Sequence, residues 1–285
     1  MRLAHLSDIH VTLPPASQPL RTLWGKRVAG TINYYAGNRR AHFAGVEDRI
    51  TTLLADVEAQ QVDHALCTGD VSAMSLEDEF ARCAALLGDR LQAPGRWTVL
   101  PGNHDRYTQD AAGAFERHLG PLADAGAGYP FTKALPDKVT LVALDAARPV
   151  WLLDSSGLCG ERQLGALRAI LADGSLRDRF VILALHYSFL RADGRPETRS
   201  HGIRDQEALV ALLASGQCHV DLVLHGHTHH AFFQAVGAVP VHCAGSATDL
   251  GVPCGYNVLD IDPRARRVQV RRRAWDRAAG AYVDG

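Results

Sequence analysis

Short apolar runs alternate with longer amphipathic stretches along this chain. Runs at 3–7, 64–68, 97–101, 139–144, 180–186, 221–224, 239–244, 256–261 and 267–272 predict β-strands. Several of these are too continuously apolar to have one face in water, which places them in a sheet covered on both sides. Apolar residues at helical spacing predict helices over 46–60, 76–87, 111–119, 162–172 and 206–213, with Asp or Ser at several starts and Gly near several ends. The first half therefore reads β-α-β-α. The last third is strand-rich with few helix signals, which predicts a second sheet packed on the first. No internal repeat or low-complexity linker divides the chain, so one domain over 1–285 is expected.

Chemistry collects where apolar runs give way to Gly or Ser. Asp8 and His10, Asp70, the run Gly102-Asn103-His104-Asp105, His186, and the run His225-Gly226-His227-Thr228-His229 supply carboxylates, imidazoles and one amide. These are all oxygen or nitrogen donors. They suit divalent Mn, Fe, Zn or Mg, and the absence of Cys from every motif argues against a thiolate site. Seven candidate ligands exceed what one ion takes. With one carboxylate bridging, Asp8, His10, Asp70 and His229 are expected to hold a first ion, and Asp70, Asn103, His186 and His227 a second. Two cations about 3.5–4 Å apart acidify water and stabilise both attacking and leaving oxygens, which phosphoester hydrolysis requires.

The ordered series D-x-H, G-D, G-N-H-D, H and G-H-x-H, read here as Asp8-Ile9-His10, Gly69-Asp70, Gly102 to Asp105, His186 and Gly226 to His229, resembles the calcineurin-like metallophosphoesterases. Each short motif alone is weak, and the full series in strand context is specific. The resemblance implies an α/β fold of two facing mixed β-sheets flanked by helices, a four-layer αββα sandwich. It also implies a dinuclear centre that hydrolyses phosphomonoesters, phosphodiesters or pyrophosphates by attack of a metal-activated water. Mn is the first expectation for the two divalent ions, with Fe, Zn or Mg as alternatives.

His104 stands beside the expected ligand Asn103 and is assigned as general acid, with Asp105 expected to fix its tautomer. An imidazole of ordinary pKa, about 6.5, donates a proton readily near neutral pH. His5, His42, His64, His118, His219 and His242 have no motif around them and read as structural. His225 is expected on the same side as His227 by strand alternation, at the border of the site. His201, after a Gly-, Pro- and Arg-rich loop, is either a substrate-facing residue or a plain loop histidine.

Composition narrows the class. The chain has 285 residues, 47% of them hydrophobic, enough to bury a large core. A formal net charge of −1 provides no global attraction to nucleic acid, and no specific nucleic-acid binding is expected. No charged leader with a long apolar stretch precedes the first strand, and no run approaches the roughly 18 apolar residues of a membrane span. A cytoplasmic protein with six buried free thiols is the expectation.

Two stretches stand apart, 13–43 and 191–204, each directly after a ligand motif. The shorter carries Arg191, Arg195, Arg199 and Arg204, either phosphate-gripping or solvated. The longer carries Arg21, Lys26, Arg27, Arg39 and Arg40 among Leu20, Leu23, Trp24, Val28, Ile32, Tyr34, Tyr35 and Phe43, without an acidic residue. It packs its apolar side on the core, makes peripheral contact with a membrane or lipid, or forms a partner-binding lid. The motifs are most similar to bacterial cyclic-nucleotide-type phosphodiesterases, which implies a small phosphodiester or nucleotide-type substrate. A resemblance to UDP-2,3-diacylglucosamine pyrophosphatases would account for the insert, although their best-known branch has Arg in place of His104. A non-catalytic metal-stabilised scaffold is the alternative of another class.

Overall fold

The continuous apolar runs become strands buried on both faces. The structure, a computed structural model, describes residues 1–123, 128–152 and 154–285. In chain order its elements are β1 (Arg2–Leu6), α1 (Lys26–Ala36), α2 (Arg39–His42), α3 (Val46–Ala59), β2 (His64–Cys67), α4 (Glu77–Leu87), β3 (Trp97–Val99), α5 (Ala114–Ala123), β4 (Phe131–Leu135) and β5 (Val139–Ala143). There follow α6 (Gly160–Leu171), β6 (Phe180–Ala184), α7 (Gln206–Ala214), β7 (Leu222–His225), β8 (Ala231–Val236), β9 (Val239–Ala244), β10 (Gly255–Asp262), β11 (Arg267–Asp276) and β12 (Ala281–Asp284).

Two six-stranded mixed sheets result, ordered β12-β11-β10-β1-β2-β3 and β4-β5-β6-β7-β9-β8. Alternation along each strand divides its side chains between layers. Leu3, Leu66, Leu141, Ile182, Leu224 and Leu259 meet between the sheets. Ala4, Leu6, Ala65 and Cys67 face the other way, against Ile50, Leu53, Phe80 and Phe115 of α3, α4 and α5. On the far side, Val142, Val181, Leu183 and Val223 pack on Leu164, Leu167 and Leu209 of α6 and α7. This is the expected four-layer αββα arrangement.

The expected strands all form, but β4, β8 and β12 were not anticipated. All three are edge strands. Their burial alternates or is sparse, so no apolar run marks them. The last third is also distributed differently from the expectation. β7, β8 and β9 complete the second sheet, whereas β10 returns to the first and pairs antiparallel with β1, Leu3 opposite Leu259. The mutual order of two apolar strands is set by pairing across the sheet, which local sequence does not encode.

Parallel pairing of β1 with β2, β2 with β3, and β6 with β7 brings several strand carboxyl ends to the same rim. Loops leaving such ends form the crevice where α/β folds place ligands. Among the described residues no helix is long and apolar enough to cross a membrane. The seam between the sheets should be the most sensitive part of the fold. Leu141→Ala, at a fully buried position there, is expected to lower unfolding free energy by about 2–5 kcal/mol in urea titration.

Candidate metal centre

All seven expected ligands arrive from strand ends at this rim. Asp8 and His10 follow β1, Asp70 follows β2, Asn103 follows β3, His186 follows β6, and His227 and His229 follow β7. The turns that carry them are unusual. Asp8, His10, Asp70, His227 and His229 all have positive φ, between 42° and 75°. Non-glycine residues avoid this region unless the surrounding structure compels it, and such residues gather at functional sites. The compulsion is visible in a ladder across the loops. Asp8 N–H donates to Gly69 O (2.9 Å), His10 N–H to Asp70 O (3.0 Å), and Gly226 N–H to His186 O (3.0 Å). His227 N–H donates to Asp8 Oδ2 (3.0 Å), which ties the two sheets together at the site. Two glycines are required by close approach. A Cβ at Gly226 would lie 1.9 Å from Ser7 Oγ, and one at Gly102 would lie 2.2 Å from Asp70 Oδ1.

Each of the four site imidazoles is oriented by its outer nitrogen. His10 Nδ1–H donates to Ser72 O (3.0 Å) and His186 Nδ1–H to Thr68 O (2.8 Å). His227 Nε2–H donates to His201 O (2.8 Å), and His229 Nδ1–H to Asp249 Oδ2 (2.7 Å). The inner nitrogens are thereby left with lone pairs. His10 Nε2 and His229 Nε2 face each other at 3.1 Å. His186 Nε2 and His227 Nδ1 are 3.3 Å apart, and Asn103 Oδ1 lies 3.0 Å from the first and 2.8 Å from the second. Asp8 Oδ1 lies 3.6 Å from His229 Nε2 and 3.8 Å from His10 Nε2, and Asp70 Oδ2 lies 3.4 Å from His186 Nε2 and 3.7 Å from His10 Nε2.

This donor set fits cations. Imidazole ligands about 2.0–2.1 Å from one ion are spaced about 3.0–3.4 Å from one another, the spacing of both nitrogen pairs. One atom each from Asp8, His10 and His229 lies within 4.8 Å of the others, as does one each from Asp8, Asp70 and His186. Asp8 thus reaches both groups. Its Oδ1 is buried without a hydrogen-bond partner among the described residues, and burial pushes its carboxyl pKa up. Burial also drives His10 and His227 well below the usual histidine range. At His186 burial is overcome by the neighbouring Asp70, which holds the imidazole up to about 9. Positive charge is therefore favoured beside Asp70. Outer-nitrogen anchoring of this kind is how histidine ligands are held and tuned.

His104 lies at the border of the cluster. Its backbone N–H donates to Asp70 Oδ1 (2.7 Å), and its ring stacks on Tyr107 with centroids 5.1 Å apart. The expectation that Asp105 fixes its tautomer is corrected. Asp105 is buried and accepts from the backbone N–H groups of Val71, Ser72 and Gly102, bracing the loops instead. Ala73 O takes the Nδ1–H of His104 at 2.6 Å. His104 and Asn103 line a cavity of about 390 Å³, walled by Lys26, Ala29, Gly30, Asn33 and Arg39 of the insert and by Leu152, Asp154 and Ser155 opposite.

Of the two readings of the 191–204 arginines, phosphate-gripping or solvated, their ion pairs favour the second. In 191–204, each arginine has a carboxylate: Arg191 has Glu197, Arg195 has Asp193, Arg199 has Glu207 and Arg204 has Asp154. The cations that face the cavity come from the insert. Arg39 has no carboxylate within ion-pair distance among the described residues, and its Nε is buried without a partner. Lys26 Nζ donates to Asp154 O (2.7 Å) above the Tyr107 ring, and burial lowers its pKa. His225 turns away from the site against Phe189 and Phe232, because the left-handed turn at His227 breaks strand alternation. His201 is a neighbour of the cluster through its carbonyl, and its ring lies 4.1 Å from that of His227.

Two further residues at the site escaped the sequence. Asp249, in the loop after β9, anchors His229, and His42 of the insert contacts the same carboxylate at 3.1 Å. Neither lies in a motif, and only chain folding brings them to His229. Asp249→Asn should weaken divalent-metal binding by about 10–100-fold, read as a smaller metal-induced rise in melting temperature.

The model for the calcineurin-like phosphoesterase family matches residues 1–231. A search of curated proteins finds no match. Among solved structures, a dimetal phosphatase from Danio rerio superposes with a TM-score of 0.62 at 14% identity, covering 96% of this chain and 95% of that one. The Plasmodium inner membrane complex anchor GAP50 superposes at 0.55 with 11% identity, covering 99% and 86%. A purple acid phosphatase from yellow lupin does so at 0.54 with 12% identity, covering 99% of this chain and 52% of that one. At these identities the superpositions speak for the fold. The family match spans most of the chain and includes every motif of the site, so this chain belongs to the calcineurin-like phosphoesterase family.

Proposed function

We propose that the chain is a dinuclear-metal phosphodiesterase that cleaves a small, nucleotide-sized phosphodiester. The observation that carries this reading is the placement of His104 in the wall of a cavity next to the ligand cluster, with two cations of the insert in the same wall. Asp8, His10, Asp70, Asn103, His186, His227 and His229 would hold two divalent ions. These would supply Lewis-acid charge and acidified water. Mn is the first choice for a donor set without thiolate, and the free cysteines suit a reducing compartment such as the cytoplasm.

The protein's own groups divide the remaining work. Arg39 and Lys26 offer donors to the non-bridging phosphoryl oxygens, fixing the ester against the cluster. His104 is held by Ala73 O so that only Nε2 is available for a proton transfer. Burial pushes its pKa down to about 3 in the free protein. An anionic ester alongside favours the imidazolium and so recruits the proton that the departing alkoxide needs. A diester with a poor leaving group gains most from that proton. The cavity volume, about 390 Å³, accommodates a ligand of nucleotide size. A lipid-linked pyrophosphate is the second reading, favoured by the apolar residues that the insert presents to solvent beside the cavity.

Turnover of bis-(p-nitrophenyl) phosphate, p-nitrophenyl phosphate, cyclic AMP and UDP-2,3-diacylglucosamine by metal-reconstituted protein decides among these. Diester cleavage that disappears in Asp70→Asn and on chelation is expected; selective cleavage of the lipid nucleotide would favour the second reading. Silence across the panel would favour a metal-stabilised scaffold. His104→Ala should lower kcat by about 10²–10⁴-fold on alkyl diesters and far less on nitrophenyl esters, whose leaving group needs no proton. Arg39→Ala should raise KM for every anionic ester turned over, checked by initial-rate kinetics.

A further inference from the structure

The insert turns its apolar residues outward. Leu20 is 85% exposed, Trp24 75% and Ile32 60%, and Val28 and Tyr35 are also exposed. Trp24, Val28, Ile32 and Tyr35 recur at helical spacing, so they form one stripe along α1 and the turn before it. The packing expectation for this stretch is thus corrected: the apolar side faces solvent. The cause is Arg27 on the opposite face. It is buried, donates to Met74 O and Ser75 O at 2.9 Å each, and pairs with Asp110 at 2.5 Å. Rotating the stripe inward would strip a buried guanidinium of all these partners, a cost that apolar burial would have to exceed.

A second apolar protrusion stands on the other side of the cavity. Trp151 is 80% exposed and Leu152 is exposed beside it. Leu152 and α1 line the same cavity, so the two protrusions flank one mouth. Contiguous exposed apolar residues of this size mark an interaction surface. Charge indicates its partner. Between Val11 and Val46 the chain has five basic residues and no acidic one; Arg27 is buried against Asp110 and Lys26 and Arg39 line the cavity, which leaves two cations for the outer face. Arg21 and Arg40 project into solvent. Trp and Tyr with aliphatic residues, edged by arginine, match the polar-apolar boundary of a bilayer with anionic headgroups.

We propose that the stripe Leu20, Trp24, Val28, Ile32 and Tyr35, together with Trp151, docks on an anionic lipid surface and sets the catalytic mouth against it. The helix lies in the interface plane, with Arg21 and Arg40 at headgroup level. This docking does not depend on which ester is cleaved, and its test reads binding rather than turnover.

The full chain is floated with vesicles of phosphatidylcholine alone and of phosphatidylcholine mixed with phosphatidylglycerol, across a range of salt. Binding to the anionic vesicles is expected, weakening as salt rises and accompanied by a blue shift of tryptophan emission. The variant Leu20→Ser/Trp24→Ser/Ile32→Ser should lose about tenfold or more of that affinity while its thermal melting and hydrolysis of a soluble ester are unchanged. Trp151→Ser, at a separate loop, should weaken binding even if the triple variant does not fold. Absence of binding to anionic vesicles at low salt overturns the proposal, as does undiminished binding by both variants. A dimer in light scattering that the triple variant dissolves would also overturn it, assigning the face to a second copy.

Discussion

Two buried carboxylates without a lysine or arginine partner among the described residues, Asp8 and Asp70, are the constraint around which this protein is arranged. Charge buried in that way is costly unless cations or protons compensate it. Here the neighbours are four imidazoles and one amide, each aimed inward because its outer atom is bound or its strand end leaves no other direction. The left-handed turns at five of the seven positions are the backbone cost of that convergence. Loop-to-loop hydrogen bonds offset it, and the His227 N–H to Asp8 Oδ2 bond makes the seam between the sheets part of the site.

Outward from this cluster the structure is organised by which face of each element is committed. The central strands β1, β2, β5, β6 and β7 commit both faces, which is why their sequences are predominantly apolar. The helices α3 to α7 commit one face to a sheet and leave the other in water. Helix α1 is different: its inner face is polar and cationic, held by Arg27 and offering Lys26 to the cavity, while its apolar face is exposed. That inversion of the usual amphipathic arrangement follows from a hydrogen-bonded guanidinium outweighing a stripe of apolar side chains.

The same insert explains why the cavity's electrostatics differ from what a count of arginines suggests. Of the nine lysine and arginine side chains in the two stretches that border the site, Arg191, Arg195, Arg199, Arg204 and Arg27 have acidic partners, Lys26 and Arg39 face the cavity, and Arg21 and Arg40 lie in solvent. Only cations without a fixed carboxylate remain available to an anionic ester.

Much of this protein was legible in its sequence because the ligand motifs are short, local and attached to strand ends. A strand buried on both faces must be apolar, and a site at its carboxyl end must begin where the apolar run stops, so Asp8, Asp70, Asn103, His186 and His227 announce themselves. The family and the four-layer fold follow from that order. Tertiary structure decided what depends on contacts between distant segments. Edge strands β4, β8 and β12 have too little burial to pattern their residues. The return of β10 to β1 is a pairing choice between strands over 240 positions apart, as Leu3 opposite Leu259 shows. Asp249 reaches His229, Ala73 rather than Asp105 holds His104, and Arg27 turns α1 outward. Each of these is a hydrogen bond to a partner that local sequence cannot specify, because its strength comes from burial that exists only after the chain has folded.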